Sequence, residues 1–188
     1  CVSVHAVLDN EEVGSTTKQG AASTFLADTL KRLNQALGRS EEQYLAALAS
    51  SFMISADNAH GVHPNHADKA DPTNRPYLNG GIVVKYNANQ KYTTDAVSAA
   101  VFKALCDEVG VPVQTFTNRS DMAGGSTLGN ISNTQVALNT VDIGLPQLAM
   151  HSPYETAGVK DTEYLIRTAT RFFSTCLRAE GDGMYRMN

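Results

Sequence analysis

The sequence predicts an α/β fold, with a mostly parallel or mixed sheet and helices on both of its faces. Two observations lead to this fold class. Short apolar runs of strand length alternate along the chain with longer segments whose apolar residues recur at helical spacing. Strand–helix–strand units of this kind build largely parallel sheets, and their helices cover both sides of the sheet.

Local patterns place the individual elements. The apolar run 2–8 is typical of a buried strand, and residues 16–37 have a helical apolar face that ends at Gly38. Ser40-Glu41-Glu42-Gln43 has the capping-box pattern that begins a second helix, which reaches about Ala49. The remaining predicted strands or extended segments are 51–56, 81–86, 111–117, 136–143 and 145–150, and the remaining predicted helices are 94–109, 130 to about 134, and 161–178.

Composition limits the possible partners. The chain has 188 residues and 42% hydrophobic content, which is enough for one domain with a core. The formal net charge is −4 and the basic residues are scattered, so we expect no nucleic-acid partner. No apolar run reaches membrane-spanning length, so we expect a soluble protein with no membrane partner.

The cysteines and the first residues suggest a setting. Cys1, Cys106 and Cys176 are far apart, which predicts a reducing compartment such as the cytoplasm, with neither a disulfide framework nor a cysteine zinc site. No signal peptide is visible. Because the chain opens on Cys1-Val2-Ser3, directly in the first predicted strand, we expect it to be the C-terminal part of a longer polypeptide.

Glu11 and Glu12 lie side by side just after the first predicted strand, in a turn that Gly14 closes. Adjacent carboxylates repel each other and lose hydration when they are covered, and a cation would relieve both costs. We therefore hypothesise a metal-assisted hydrolase site, in which one glutamate is a ligand and the other a general base. The alternative, which an isolated pair favours, is a solvated acidic turn.

Two more polar residues follow predicted strands. Asp57 comes after 51–56 and His151 after 145–150, at the carboxyl ends where open α/β sheets bind ligands. Alone, Asp57 is equally compatible with an ordinary turn or cap residue, and His151 is more simply a loop residue. With the glutamate pair they form an oxygen-and-imidazole set that suits Zn²⁺, Mn²⁺ or Co²⁺. Such ions polarise a carbonyl and activate a water, whose proton a neighbouring carboxylate can accept.

Three motifs carry a family resemblance. Asp-Asn-Glu-Glu-Val-Gly-Ser at 9–15, Ser-Ala-Asp-Asn-Ala-His-Gly-Val-His-Pro-Asn at 55–65 and Met-His-Ser-Pro-Tyr-Glu at 150–155 resemble the aspartyl aminopeptidase family. The match includes 81–92 and 120–129 and spans essentially the whole chain in order. The resemblance implies a cytosolic dizinc metallopeptidase with a zinc-exopeptidase-like α/β/α sandwich. It also implies peptide substrates with an acidic N-terminal residue, and homo-oligomeric full-length proteins.

The resemblance also implies a role for each residue of the metal site. Glu11 corresponds to the general base of the family. Glu12 and His151 correspond to ligands of one zinc, and Asp57 corresponds to a ligand of the other.

Further positions correspond to substrate contacts. His60 falls where the family has a histidine close to the metals. Lys85 falls where a cation meets the acidic side chain of the substrate, which would explain a lysine at the exposed end of an otherwise apolar strand. Tyr92 is a second expected contact, and Gly125 belongs to a segment that would line the pocket with backbone donors.

The sequence also departs from the family pattern. The family site needs a histidine and a bridging aspartate that lie upstream of the acidic turn, and a dimerisation domain is missing too. Asp9 could replace the bridging aspartate only poorly, because it already forms the turn with Asn10. We therefore expect 1–188 to be the C-terminal portion of a catalytic domain. The alternatives are a catalytically incomplete fragment or truncated homologue with a structural or assembly role, and a related dizinc hydrolase of other specificity.

Overall fold

The computed structural model describes all 188 residues and confirms the α/β class. The strands are β1 (Phe52–Ala56), β2 (Ala59–His60), β3 (Ile82–Tyr86), β4 (Val113–Thr117), β5 (Asn139–Gly144), β6 (Pro146–Leu148), β7 (Thr156–Ala157), β8 (Leu177–Gly181) and β9 (Met184–Met187). The helices are α1 (Phe25–Ala36), α2 (Glu41–Ala49), α3 (Ala96–Glu108), α4 (Leu128–Ser132) and α5 (Val159–Ser174). None of these helices combines the length and the apolar character that a membrane crossing requires.

The main sheet has four strands in the order β1-β5-β3-β4. The outer pairs β1–β5 and β3–β4 are parallel, whereas the central pair β3–β5 is antiparallel, so the sheet is mixed. In the antiparallel register Val83 lies opposite Gly144 and Val84 opposite Ile143. The next step along this register places Lys85 opposite Asp142. A small second sheet, β2-β6-β7, follows on from β1 and β5.

One face of the sheet forms the main core. Successive side chains of a strand point to opposite faces, so Ile82 and Val84 of β3 share a face with Ile143 of β5. They pack against Phe102 and Cys106 of α3, and all five side chains have no exposed surface. Tyr164 and Leu165 of α5 pack against the same core, so α3 and α5 cover this side.

The opposite face, which we call the site face, carries Val83, Lys85 and Asp142. Val83 packs there with Ala59, Tyr92 and Phe116 in a smaller apolar cluster. Helix α4 covers part of this face, and its Gly129 approaches so closely that a Cβ would lie 2.5 Å from Asp142 Oδ1. Glycine is therefore required where α4 crosses the sheet, and the predicted placement of helices on both faces is confirmed.

Two helix starts follow the sequence signals. The Ser40 hydroxyl accepts a hydrogen bond from the Gln43 backbone N–H at 3.2 Å, and the Gln43 side chain accepts one from the Ser40 N–H at 2.9 Å. At α3, Asp95 Oδ1 accepts a hydrogen bond from the Ser98 N–H at 2.7 Å. Each such cap stabilises its helix by about 1 kcal/mol, so the predicted starts of α2 and α3 are confirmed.

The prediction of a buried strand at 2–8 is wrong. The segment pairs with no strand, and Val2 and Val7 are 74% and 78% exposed. It lies instead against the end of α5, where the Ser3 hydroxyl donates to the Phe173 carbonyl at 3.1 Å and His5 meets the Phe173 ring edge-on. The apolar pattern indicates a preference for a sheet, but a strand forms only where a neighbouring strand offers hydrogen-bond partners.

Helix boundaries differ at both ends of the chain. α1 begins at Phe25 rather than at Thr16, because residues 15–23 form turns in which the Ala22 N–H donates to the Ser15 carbonyl at 3.1 Å. α5 ends at Ser174, and the last residues of the predicted helix belong instead to a β8–β9 hairpin. The sequence prediction missed this hairpin entirely.

The cysteine prediction is also wrong in part. Cys1 and Cys176 form a disulfide across a sequence separation of 175 residues, and Cys106 is a buried free thiol. Such a long separation leaves no spacing pattern that sequence analysis could use. The bridge joins the exposed N-terminal segment to the end of α5.

Candidate active site

The acidic turn is a single 3₁₀ turn, Glu11–Val13. Asn10 and Gly14 flank it in left-handed backbone conformations, with φ of 60° and 98°. The Gly14 N–H donates to the Glu11 carbonyl and the Ser15 N–H to the Asn10 carbonyl, each at 2.9 Å. The turn therefore fixes the backbone from which both glutamate side chains project.

Glu12 and His151 meet directly, although they are far apart in sequence. Glu12 Oε2 lies 2.8 Å from His151 Nε2, with the two side chains 69% and 64% exposed. His151 has a left-handed backbone with φ of 67°, and its N–H donates to Glu155 Oε1 at 2.7 Å. A pair this exposed adds little stability, and it brings a carboxylate oxygen and an imidazole nitrogen together at one point.

Asp57 and Lys85 form a second pair on the site face. Lys85 Nζ lies 3.4 Å from Asp57 Oδ2 and donates a shorter hydrogen bond, of 2.7 Å, to the Asp57 carbonyl. The lysine side chain is only 2% exposed and that of Asp57 is 28% exposed. The expectation of a lysine at an exposed strand end is therefore wrong, because the long side chain runs under the site and its ammonium group turns toward Asp57.

Glu11 lies within the field of both pairs. Desolvation raises the pKa of its carboxyl group above the ordinary value, and the negative charges of Asp57 and Glu12 raise it further. The positive charges of His151 and Lys85 act in the opposite direction but do not cancel the rise. A carboxylate whose pKa is raised in this way is a stronger proton acceptor than one in water.

His60 and Tyr92 both lie close to the ring of Phe116. The His60 ring lies 6.5 Å from the Phe116 ring and the Tyr92 ring 6.2 Å from it. Desolvation lowers the pKa of His60, and the His151 and Lys85 charges lower it further. Burial and then the charge of Asp57 raise the pKa of Tyr92 to about 12. The Tyr92 ring also lies 5.1 Å from Lys85 Nζ, within range of a cation–π contact.

Gly125 stands apart from the other candidates. A Cβ placed on it would meet nothing within 4 Å, whereas one on Gly124 would lie 2.5 Å from Asn118 Oδ1. Asn118 lies close enough to the Tyr92 side chain to lower the pKa of its hydroxyl. The structure therefore brings seven candidate residues into one region and places Gly125 on a loop that borders Tyr92 through Asn118. The seven are Glu11, Glu12, Asp57, His60, Lys85, Tyr92 and His151.

The donors fit zinc in kind but not in number. A zinc ion binds imidazole nitrogen and carboxylate oxygen at about 2.0–2.2 Å, so the donor atoms of Glu12 and His151 need to separate by only about half an ångström to share one ion. Asp57 offers a further carboxylate. No group of three or more His, Cys, Asp or Glu side chains lies close enough to hold a metal ion. Zinc sites use at least three protein ligands, so this chain alone supplies fewer than such a site requires.

The site face carries one buried charge that was not among the residues predicted from the sequence, Asp142. It has no exposed surface and accepts hydrogen bonds from Thr93 and Thr127. A signal was available, because a carboxylate inside the apolar run Val141-Asp142-Ile143 is rare unless it is paired.

A protein-family comparison decides the identity of the chain. The family model for the aminopeptidase I zinc metalloproteases (M18) matches residues 1–173. This chain belongs to that family. A probable M18 family aminopeptidase 2 from Clostridium novyi is 53% identical over 166 residues, which are 88% of this chain and 38% of that protein.

Solved M18 structures share the fold. The cryo-EM structure of the Ape4 and Nbr1 complex is similar with a TM-score of 0.83 and 40% identity, over 86% of this chain and 31% of that one. The S. cerevisiae mApe1 dodecamer is similar with a TM-score of 0.76 and 30% identity, over 89% of this chain and 36% of that one. This M18 chain thus spans about two fifths of the length of the curated relative and about a third of the solved chains.

Proposed function

We propose that this chain is the C-terminal portion of a zinc aminopeptidase catalytic domain, and that the whole protein releases N-terminal residues from peptides. The observation that carries the proposal is the meeting of Glu12 and His151 beside Glu11 in a chain of the M18 family. These residues come from opposite ends of the sequence, and stability alone gives little reason for their convergence.

Glu12 and His151 would hold one of two zinc ions, and Asp57 would bind the other. Bound zinc supplies polarisation of the scissile carbonyl and a lowered pKa of water, and Mn²⁺ or Co²⁺ accepts the same ligand types. Glu11 lies next to these ligands, where its carboxylate would act as the general base that takes a proton from the attacking water and passes it to the leaving amine. The remaining ligands, a histidine and a bridging aspartate, would come from the upstream part of the polypeptide.

The proposed preference for an N-terminal Asp or Glu rests on Lys85. Its ammonium is buried and already donates to the Asp57 and Asn58 carbonyls. It would therefore act on an acidic substrate side chain mainly through its positive field, since a desolvated cation favours an anion over a neutral group. Tyr92 closes one side of this position at 5.1 Å from Lys85 Nζ. His60 would contact the substrate nearer the metals, and the Gly125 segment would offer backbone donors across from Tyr92.

The exposed segment 2–8 supports the proposal that this chain is part of a larger domain. Its valines are exposed although their pattern is that of a buried strand, and an upstream strand would supply the missing hydrogen-bond partners. The similar S. cerevisiae protein is a dodecamer, so we expect the whole protein to be homo-oligomeric too. We propose the cytoplasm from the family resemblance alone, because the Cys1–Cys176 disulfide removes the support that the cysteine spacing gave to a reducing compartment.

A second candidate is a catalytically incomplete chain with a structural or assembly role. The shortage of metal ligands within the 188 residues favours it. Calorimetric titration with zinc separates the two proposals. The aminopeptidase proposal expects two tight sites in the full-length gene product and weak binding to this chain alone, whereas the absence of tight sites in the gene product would support the structural role.

The catalytic proposal is tested with Glu11→Gln in the full-length gene product. We expect kcat to fall by about 10²–10⁴-fold, the usual contribution of a general base, with zinc content unchanged. Glu41→Gln, at an exposed position on α2, is the matched control and should retain wild-type turnover. Full turnover in Glu11→Gln would remove this mechanism. Aspartyl, leucyl and acyl substrates tested side by side distinguish the aminopeptidase from a related dizinc hydrolase of other specificity.

A further inference from the structure

Asp142 is a fully buried carboxylate with no role in the proposed chemistry. An unpaired charge in such a place would be very unfavourable. Both of its oxygens are engaged, because Oδ2 accepts hydrogen bonds from the Thr93 backbone N–H at 2.5 Å and from the Thr93 hydroxyl at 2.7 Å, while Oδ1 accepts one from the Thr127 hydroxyl at 2.7 Å. Bonds to an ionised acceptor are about twice as strong as neutral ones.

The two oxygens reach two different loops. Thr93 directly follows Tyr92, and Thr127 directly follows the Gly124–Ser126 segment. The Asp142 backbone reinforces the first attachment, since its N–H donates to the Thr94 hydroxyl at 2.9 Å. One side chain on β5 therefore fastens both loops that carry candidate substrate contacts.

The attachment determines where Tyr92 lies relative to Lys85. Continuing the β3–β5 register by one residue beyond Val84 and Ile143 places Lys85 opposite Asp142, on the same face of the sheet. The Tyr92 ring, one residue before the anchored Thr93, lies 5.1 Å from Lys85 Nζ. If Thr93 were released, the Thr94 contact would be the remaining attachment from β5 that holds this ring beside the ammonium group.

We propose that Asp142 is the positioning residue of the substrate side-chain subsite, which it builds by fixing the Tyr92 loop and the Gly124–Ser126 segment to β5. This inference rests on the proposed function, because Lys85 and Tyr92 are substrate contacts only in that setting. A fixed pocket wall strengthens substrate binding without taking part in bond breaking, so its loss acts on KM rather than on kcat.

Two variants test the two halves of the attachment. In Asp142→Asn the amide oxygen can still accept from the Thr127 hydroxyl, but the NH₂ group then faces the Thr93 N–H, so the Tyr92 loop is released. Thr127→Val releases the glycine segment instead and leaves the carboxylate in place. The matched control is Asp161→Asn, since Asp161 is also fully buried and accepts two backbone N–H bonds, from Asn79 at 2.6 Å and Gly81 at 2.9 Å.

The first measurement is steady-state kinetics of the full-length gene product on peptides that begin with Asp or Leu. We expect Asp142→Asn to raise KM for the Asp peptide about tenfold, the equivalent of one charge-assisted hydrogen bond, with kcat within about threefold of wild type. Thr127→Val should raise KM less, and Asp161→Asn should change it less than about twofold. An equal rise in Asp161→Asn would overturn the proposal, because the effect would then be general loosening of the fold.

The second measurement is hydrogen exchange, which remains informative if the gene product cleaves neither peptide and the proposed function fails. Asp142→Asn should speed exchange of the Thr93 amide about tenfold or more and leave the Asn79 and Gly81 amides unchanged, while Asp161→Asn should do the reverse. Unchanged protection at Thr93 in Asp142→Asn would overturn the positioning role. If Asp142→Asn does not fold, Thr127→Val replaces it as the test variant. Thr127→Val should then speed hydrogen exchange of the backbone amides at 124–127 and leave exchange of the Gly81 amide unchanged.

Discussion

Replacing Lys85 with Met is expected to leave stability almost unchanged. The best hydrogen bond of Lys85, at 2.7 Å to the Asp57 carbonyl, costs about 1.5–3 kcal/mol to lose. Against this loss, burial lowers the pKa of the ammonium group even with Asp57 and Asp142 nearby, so the charge is less stable here than in water. Met keeps the buried stem and removes that penalty, so we expect the free energy of unfolding to stay within about 1 kcal/mol of wild type.

The same substitution is expected to remove the preference for acidic substrates. Truncating one partner of a desolvated charge pair costs about 2–5 kcal/mol, or roughly 30-fold or more in kcat/KM. The assay compares kcat/KM for peptides that begin with Asp or Leu in the full-length gene product, and urea unfolding of this chain measures stability. A wild-type preference for Asp in Lys85→Met would refute the substrate role. A loss of stability above about 3 kcal/mol would show instead that the buried charge serves the fold.

Three further predictions concern separate parts of the molecule. Burial raises the pKa of Cys106 to about 11, so the folded state keeps a proton that the unfolded chain loses above the ordinary pKa of 9.0. The free energy of unfolding should therefore fall by about 2–3 kcal/mol between about pH 9 and 11, and urea unfolding of Cys106→Ala should not show this fall. The same pH dependence in Cys106→Ala as in wild type would contradict this prediction. His151→Ala should weaken zinc binding at least about tenfold by calorimetry, whereas His66→Ala, in an exposed loop, should not; equal affinities would remove His151 as a ligand. Asp161→Asn should lower the free energy of unfolding by about 2–4 kcal/mol in urea, because one of two buried backbone donors loses its acceptor, and a loss below about 1 kcal/mol would contradict the importance of this anchor.

The elements that sequence predicted well are those with strong local signals. The Ser40 and Asp95 caps satisfy backbone groups within their own first turns, so α2 and α3 begin where the residues indicate. β1 and β3 are short apolar runs whose side chains pack in or against the main core, which their hydrophobicity alone predicts. The meeting of Glu12 with His151 agrees with the family resemblance, whereas the strand predicted before Glu12 does not form.

The elements that sequence missed depend on distant partners. The β8–β9 hairpin and the Cys1–Cys176 bridge form between residues whose spacing carries no pattern. The direction of the Lys85 ammonium was missed because it is set by the Asp57 carbonyl in the loop between β1 and β2. The antiparallel pairing of β3 with β5 at the centre of the sheet was also missed. Strands that alternate with helices along the chain favour parallel neighbours, so this pattern does not predict an antiparallel pair.

The exposed segment 2–8 has a practical consequence for the isolated chain. It combines several β-branched residues with a single ionisable side chain, His5, and no proline, the composition of segments that pair with copies of themselves. Its backbone donors and acceptors are free of sheet partners, so another molecule can extend along it. At high concentration the isolated chain should therefore aggregate through its first eight residues, and a lysine in place of the 78%-exposed Val7 is the substitution best placed to keep it monodisperse.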